Sequence, residues 1–217
     1  MNILVIDVGG THVKVLVTGE TVPRKADSGP TLTAAEMVSK VKELTADWSH
    51  DVLSIGYPGP IHDERPVAEP HNLGEGWLGF DFAGAFGKPV KMLNDAAMQA
   101  LGSYRGGRML FLGLGTGLGT ALVLDGKLHP MEIGHLVYKK GRTYEDYIGL
   151  KGMKRLGKKK WRKAVQDITT RLRAALEVDD VVLGGGNAKY LKEVPEGARI
   201  GDNENAFIGG FAIWKDT

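Results

Sequence analysis

Apolar residues in this chain come mostly in short blocks closed by glycine, and their spacing changes from block to block. Met1 to Val8 reads as a buried strand, since Ile3-Leu-Val-Ile6 is an unbroken apolar run that stops at Asp7. Beyond Gly9-Gly10-Thr11, the alternation Val13-Lys14-Val15 predicts a second strand with one solvated face. Thr33-Ala-Ala-Glu36 is a capping box, and Met37, Val41 and Leu44 then fall on one face of a helix running to about Trp48. Asp51 to Tyr57 predicts a strand. Pro58 to Gly79 predicts a long loop, and loops of that length in compact domains are usually functional. Pro89 to Leu93 predicts a strand ending at Asn94-Asp95, followed by a helix from Ala96 to Tyr104. Further on, Trp161, Val165, Ile168, Leu172 and Leu176 mark an amphipathic helix over 158–177. Asp180 to Leu183 predicts a strand entering Gly184-Gly185-Gly186. Asn205 to Trp214 predicts a closing helix whose Gly209-Gly210 implies a closely packed neighbour.

One pattern occurs twice. Asn2 to Val17 and Met109 to Leu124 are both strand, tight Gly/Thr turn, strand. At an offset of 106, Gly9 meets Gly115, Leu16 meets Leu122 and Val17 meets Val123. This predicts an internal duplication and two similarly folded lobes. Such turns either are ordinary hairpins or bind phosphate. Glycines permit positive φ and let backbone N–H groups converge on an anion, and Thr11, Thr116 and Thr120 offer hydroxyl donors. The second copy, and the Asp7 carboxylate at the end of the first strand, favour phosphate.

Composition narrows the class. The 217 residues are 42% hydrophobic and 25% charged, as in a soluble globular chain, and 31 glycines are about twice the ordinary ~7% share. With no cysteine, disulfides, thiolate zinc sites and cysteine nucleophiles are excluded. A net charge of +2 gives no reason to expect nucleic-acid binding. No run approaches the ~20 apolar residues of a membrane span, and the N-terminus lacks the pattern of a signal peptide. A cytoplasmic enzyme is the expectation.

Taken in order, Asp7-x-Gly9-Gly10-Thr11, Asn94-Asp95-Ala96, Gly115-Thr116-Gly117-x-Gly119, Glu132-x-Gly134-His135 and Gly184-Gly185-Gly186 resemble the ROK sugar kinases of the actin/hexokinase/Hsp70 superfamily. The resemblance runs from Asn2 to Trp214 and is nearest to the polyphosphate glucokinases. It implies an α/β fold of two ribonuclease-H-like lobes around a central cleft. The N-terminal lobe would span 1–105, joined by the C-terminal helix 205–217, and the C-terminal lobe 106–204. It also implies donor phosphates at the two hairpins (Gly9, Gly10, Thr11, Gly115, Thr116 and Gly117), with Asp7 near Mg²⁺. Sugar binding would fall to Asn72, Asn94, Asp95, Glu132 and His135, with Asp95 as general base. Gly184, Gly185 and Gly186 would lie beside the nucleoside of an ATP donor. Many ROK proteins carry a zinc-binding cysteine cluster after Glu-x-Gly-His. Leu136 to Gly141 replaces it here, so no zinc is expected. A homodimer is common in such families and is the expected assembly.

Several assignments stay open at this level. Asp95 could instead cap its helix, and Asp7 could be a strand-end turn residue. Lys14 reads equally as a phosphate ligand and as a solvated strand position. Glu145 is a weaker candidate for a second sugar carboxylate. Lys154 to Lys163 holds seven basic residues in ten. It reads either as the solvated face of an amphipathic helix or as a polyphosphate-binding stretch. The acceptor is expected to be glucose or a similar hexose, phosphorylated on its 6-hydroxyl, and the donor polyphosphate, ATP or both. The rival readings are a ROK-type sugar-sensing regulator, which would carry a helix-turn-helix ahead of the first motif, and a non-catalytic sugar-binding protein.

Overall fold

The computed structural model describes residues 1–202 and 204–215; the end of the C-terminal segment, at 216–217, lies outside them. In chain order the first part holds β1 (Ile3–Val8), β2 (His12–Val17), β3 (Arg24–Asp27), α1 (Ala34–Leu44) and β4 (Val52–Tyr57). A two-residue hairpin follows, β5 (Ile61–His62) and β6 (Arg65–Pro66). Then come α2 (Phe82–Phe86), β7 (Val90–Asn94) and α3 (Asp95–Ser103). The second part holds β8 (Arg108–Leu114), β9 (Leu118–Leu124), β10 (Lys127–Met131), β11 (Val137–Lys139), β12 (Arg142–Thr143) and α4 (Tyr144–Ile148). It continues through α5 (Leu150–Leu176), β13 (Asp180–Gly184), β14 (Ala198–Ile200) and α6 (Asn205–Ala212). The chain divides into one unit of Met1–Met98 with the residues from Ala206 on, and a second of Gln99–Asn205. The division falls inside α3, not after Arg105.

The first unit is built on a sheet of order β3-β2-β1-β4-β7. The β1–β2 and β2–β3 pairs are antiparallel, while β1–β4 and β4–β7 are parallel. Every β4 residue is buried, as expected of a strand covered on both faces. Leu4, Ile6, Val8, Val13, Val15 and Val17 form one face of the sheet and pack with Met37, Val38 and Val41 of α1. On the other face Ile3, Val5 and Leu16 pack with Met98 and with Ala206 and Phe207 of α6. Gly210 is the close approach that the sequence predicted: a Cβ there would fall on the Val5 side chain, and Ser54 Oγ donates to Gly210 O at 2.5 Å.

The second unit repeats this plan. Its sheet order is β10-β9-β8-β13-β14, with antiparallel β8–β9 and β9–β10 and parallel β8–β13 and β13–β14. Each unit therefore has a meander of three antiparallel strands, a crossover helix (α1 or α5), and two parallel strands. The duplication is one of topology, but its register needs correction. Val8 pairs with Val13 across a four-residue turn, whereas Leu114 pairs with Leu118 across a three-residue turn. The second copy is one residue shorter there. An offset of 106 therefore holds for β1 and β8, but Val17 matches Leu122 rather than Val123. The cores agree: Leu4, Ile6 and Val8 correspond to Leu110, Leu112 and Leu114, and Val13 and Val17 to Leu118 and Leu122.

Three helix boundaries also move. Helix α1 begins at the predicted Thr33 capping box but stops at Leu44. Thr45 leaves helical geometry and its hydroxyl donates to Val41 O at 2.8 Å, while Trp48 lies under the Arg24 guanidinium at 3.9 Å. The helix expected to start at 158 does so only after a break. Gly157 has φ 73° and ψ 153°, and a first helical segment precedes it from Leu150. Helix α6 ends at Ala212, short of Trp214.

Candidate active site

The two Gly/Thr turns have the same hydrogen-bonding logic. Each is closed by one backbone bond, Gly9 N to His12 O at 3.0 Å and Gly115 N to Gly117 O at 3.2 Å. The next two N–H groups, of Gly10 and Thr11 and of Thr116 and Gly117, find no acceptor among the described residues. Unpaired N–H groups in sequence make a concavity suited to an anion. Positive φ is not the reason for glycine at these turns, because none of the four glycines lies in the left-handed region. Space is. A Cβ on Gly10 would stand 3.3 Å from Asn72 Cβ, and one on Gly117 2.5 Å from Glu145 Oε2. Thr11 and Thr116 are exposed and Thr120 is not. Thr120 Oγ1 donates to Met131 O at 2.5 Å and accepts from Ile133 N at 3.2 Å. Its expected role as a phosphate donor is therefore corrected to a structural one.

Asp7 sits one residue before the first turn, paired across the hairpin with Lys14. Burial pushes its carboxyl above the ordinary aspartate value, and the Lys14 ammonium works against that shift. Among the described residues its oxygens take no hydrogen bond or ion pair, Lys14 included. A desolvated, unpartnered carboxylate has the chemistry to receive a cation. No three His, Asp or Glu side chains gather as a metal-ion site among the described residues. Mg²⁺ at Asp7 would complete its shell with phosphate oxygens and water.

At the β7–α3 junction the capping role belongs to Asn94. Its Oδ1 accepts from Ala96 N at 2.9 Å and Ala97 N at 3.3 Å, while Nδ2 donates to Gly59 O at 2.9 Å. This bond pins the start of the 58–79 loop and leaves one amide hydrogen for a ligand. Asp95 is half-buried, and its Oδ1 accepts from Ala96 N at 2.7 Å. Asn72 is exposed on the loop, beside Gly10.

The sequence did not reveal what fixes that loop. Tyr57 donates its hydroxyl to Ala68 O at 2.8 Å. The Glu69 carboxylate gathers the N–H groups of Gly76, Trp77 and Leu78 at 3.1–3.3 Å. Trp77 is fully buried, and its Nε1 donates to Leu32 O at 3.3 Å. One cue was available, in that a long polar loop bearing Trp and Leu must bury them somewhere.

In the second unit, Glu132 and His135 flank a single 3₁₀ turn, Ile133–His135. Their side chains are exposed, with His135 Nε2 and Glu132 Oε2 4.0 Å apart. Buried Gly134 fits against Leu118 O, where a Cβ would stand at 3.0 Å. Glu145 braces the second Gly/Thr turn, its Oε2 accepting from Leu118 N at 2.9 Å. Leu150 N donates to the carbonyls of Gly115 and Thr116, both at 3.1 Å. Asn187 adds two more ties, N to Leu114 O at 2.9 Å and Nδ2 to Gly115 O at 2.8 Å. The turn's carbonyls are thus held back while its N–H groups stay open. Of the glycine run, Gly184 lies under the Phe111 ring, Gly185 has φ 80° against the Leu114 backbone, and only Gly186 faces open space.

Two like units, each presenting an open N–H pair on its first hairpin, define a duplicated α/β fold with two Gly/Thr turns. A profile of the ROK family matches residues 3–143, and the chain belongs to that family. Among curated proteins it is 31% identical over 143 residues to the bifunctional enzyme NanE/NanK of Brucella melitensis. That match covers 58% of this chain and 27% of the relative, so the chain corresponds to about a quarter of that protein. It is 28% identical over 213 residues to the polyphosphate glucokinase of Mycobacterium tuberculosis, covering 88% of this chain and 80% of the relative. In fold it is similar to the inorganic polyphosphate/ATP-glucomannokinase of Arthrobacter sp. strain KM. The TM-score is 0.82 at 22% identity, over 98% of this chain and 97% of the other.

Proposed function

We propose that this ROK-family chain is a glucokinase-type sugar kinase, transferring a terminal phosphoryl group from polyphosphate or ATP to the 6-hydroxyl of glucose or a similar hexose. The observation that carries the proposal is the open N–H pair on each duplicated turn, each suited by itself to a phosphate group. The names of its relatives agree with it: a polyphosphate glucokinase at 28% identity and a polyphosphate/ATP-dependent kinase of the same fold.

Phosphoryl transfer asks a protein for positioning and charge neutralisation. In this reading the Asp95 carboxylate takes the proton of the 6-hydroxyl as its oxygen bonds to the terminal phosphorus. The bond from that phosphorus to the bridging oxygen breaks, and the shortened donor leaves with the electron pair. Asn94 fixes Asp95 by capping α3 and offers its remaining amide hydrogen to the sugar. Asn72, exposed on the loop of the same unit, is a further partner for a sugar hydroxyl; the exposed Glu132 and His135 of the second unit have the donor and acceptor chemistry for hydroxyls as well. Mg²⁺ beside Asp7 would neutralise donor phosphate charge. Lys14, on the same face as Asp7, sets the local field rather than pairing with it.

The test is glucose phosphorylation measured separately with ATP and with polyphosphate. Wild type turns over with at least one donor. Asp95→Asn lowers kcat by about 10²–10⁴, the usual worth of a general base, with little change in Tm because Asn94 keeps the cap. If no hexose is phosphorylated from either donor, the kinase assignment is wrong. An Asp95→Asn enzyme of undiminished rate removes Asp95 from the base role.

A further inference from the structure

The basic stretch on α5 divides into cations already occupied and cations left open. Arg155 donates to Asp146 O at 2.7 Å and lies over Tyr147. On the side of β11, Asp167 accepts from Tyr138, Lys139 and Arg171, and these donors hold its carboxyl at about 2. The charges there are answered. Around Tyr190 they are not. Lys158 Nζ stands 3.9 Å and Lys189 Nζ 5.3 Å from its ring centroid, while Arg162 Nε donates to its carbonyl at 2.6 Å. Packing on an aromatic face holds an ammonium in place without neutralising it. Among the described residues, none of Lys154, Lys158, Lys159, Lys160, Lys163 and Lys189 has a carboxylate partner.

Two comparisons separate this cluster from an ordinary solvated helix face. Of the chain's 28 basic and 26 acidic residues, α5 alone takes ten and one, leaving 18 and 25 elsewhere. Its topological counterpart α1 has two lysines and two glutamates. The crossover position in this fold therefore needs no excess positive charge. The second comparison is one of place. Tyr190 closes a 3₁₀ turn, Ala188–Tyr190, bonded through Tyr190 N to Asn187 O at 3.0 Å. Asn187 is the residue tied twice to Leu114 and Gly115 of the second Gly/Thr turn. At ~2 Å rise per residue the cluster begins on the order of 6 Å beyond that tie.

We infer that Lys158 and Lys189, braced on Tyr190 and flanked by Arg162 and Lys159, form a subsite for the tail of an inorganic polyphosphate donor whose reacting end lies at the Gly115–Gly117 turn. The inference rests on the kinase reading above and deepens it. A linear polyanion extends past the turn and gains from each further cation, by the counterion release that drives proteins onto nucleic-acid backbones. A nucleoside triphosphate puts a base and sugar, not more phosphates, beyond its reacting end.

The test is direct binding of long-chain polyphosphate to the full chain at several salt concentrations, beside donor kinetics, for wild type and for Lys158→Gln/Lys189→Gln. Lys40→Gln/Lys42→Gln on α1 serves as the control. Polyphosphate binding should weaken at least tenfold in the α5 variant, and its salt slope should fall by about two, one per phosphate contact removed. The ratio of KM for polyphosphate to KM for ATP should rise at least fivefold, and the control should match wild type. Three results overturn the subsite: no polyphosphate binding by wild type, an equal effect in the α1 control, or single-stranded RNA of equal charge binding as tightly. Lysine-dependent polyphosphate binding in a chain that phosphorylates no hexose sinks the kinase reading instead.

Discussion

The two units share a topology and differ where chemistry is needed. Both present an open N–H pair on the first hairpin. At the strand position before that hairpin, however, the first unit has Asp7 and the second has Gly113. The first crossover helix is charge-balanced and the second is strongly basic. The long excursions also differ. In the first unit, residues 58–79 leave after β4 and carry Asn72. In the second, the segment from Glu132 to Thr143 leaves after β10 and carries Glu132 and His135. What the copies keep is the Gly/Thr turn with its open N–H pair. What they do not keep is the carboxylate, the cationic helix and the exposed Asn72, Glu132 and His135. Duplication thus accounts for the scaffold, and divergence for the side chains presented on it.

The largest effect that sharpens this contrast is expected at Asp7. Asp7→Asn should cut kcat by about 10²–10³, the scale on which a lost charge-stabilising group is felt, and should raise Tm at neutral pH. The folded-state pKa of Asp7 lies above its unfolded value. Its stability contribution is therefore complete below the ordinary aspartate range and is lost as pH rises through the raised folded pKa. The Tm advantage of the Asn variant over wild type should widen as pH rises across that window, the other carboxylates titrating alike in both proteins. A Tm difference that does not change with pH would mean that burial does not penalise the Asp7 carboxylate.

Next comes the loop of the first unit. Glu69→Ala frees three N–H groups and should cost on the order of 1–3 kcal/mol in urea unfolding. KM for the hexose should rise several-fold and KM for the donor hardly at all, with Glu69→Gln, whose single amide oxygen can still accept from Gly76 and Leu78 but not from Trp77, restoring part of both. A rise shared by both substrates would show that Glu69 supports the whole unit rather than Asn72.

The smallest effect separates two threonines of the second unit. Thr120→Val strands Met131 O and Ile133 N and should lower Tm by ~2–4 °C per kcal/mol lost, with hexose KM affected more than donor KM. Thr116→Ala should leave Tm in place and raise donor KM a few-fold. The reverse pattern would restore Thr120 to the phosphate turn.

Local signals were read well where local physics decides. The Thr33 capping box, the period-two alternation of Val13 and Val15, and the strand-to-helix junction at Asp95 all depend on residues within a few positions of one another. The glycine at 210 could be read as a close approach, though not as an approach to Val5, a residue more than two hundred positions away. The one-residue shortening of the second turn was missed because β9 ends Ala121-Leu122-Val123-Leu124, so Leu16 and Val17 at the end of β2 meet apolar residues at either offset and a slip of one is not betrayed there. Asn94 taking the cap from Asp95 was equally hidden, since both residue types cap helices well.

The sequence by itself determined the duplication, the two turns and the family, because these rest on residue type and order. Only the tertiary structure decided which candidate groups are spent and which are open. Thr120, Glu145 and Arg155 are consumed by backbone groups that folding brings to them. The N–H pairs of the turns, the Asp7 carboxylate and the lysines around Tyr190 keep unused bonding capacity. That distinction depends on long-range hydrogen bonds, such as Asn187 to Gly115 and Leu150 to Thr116, which no local pattern encodes.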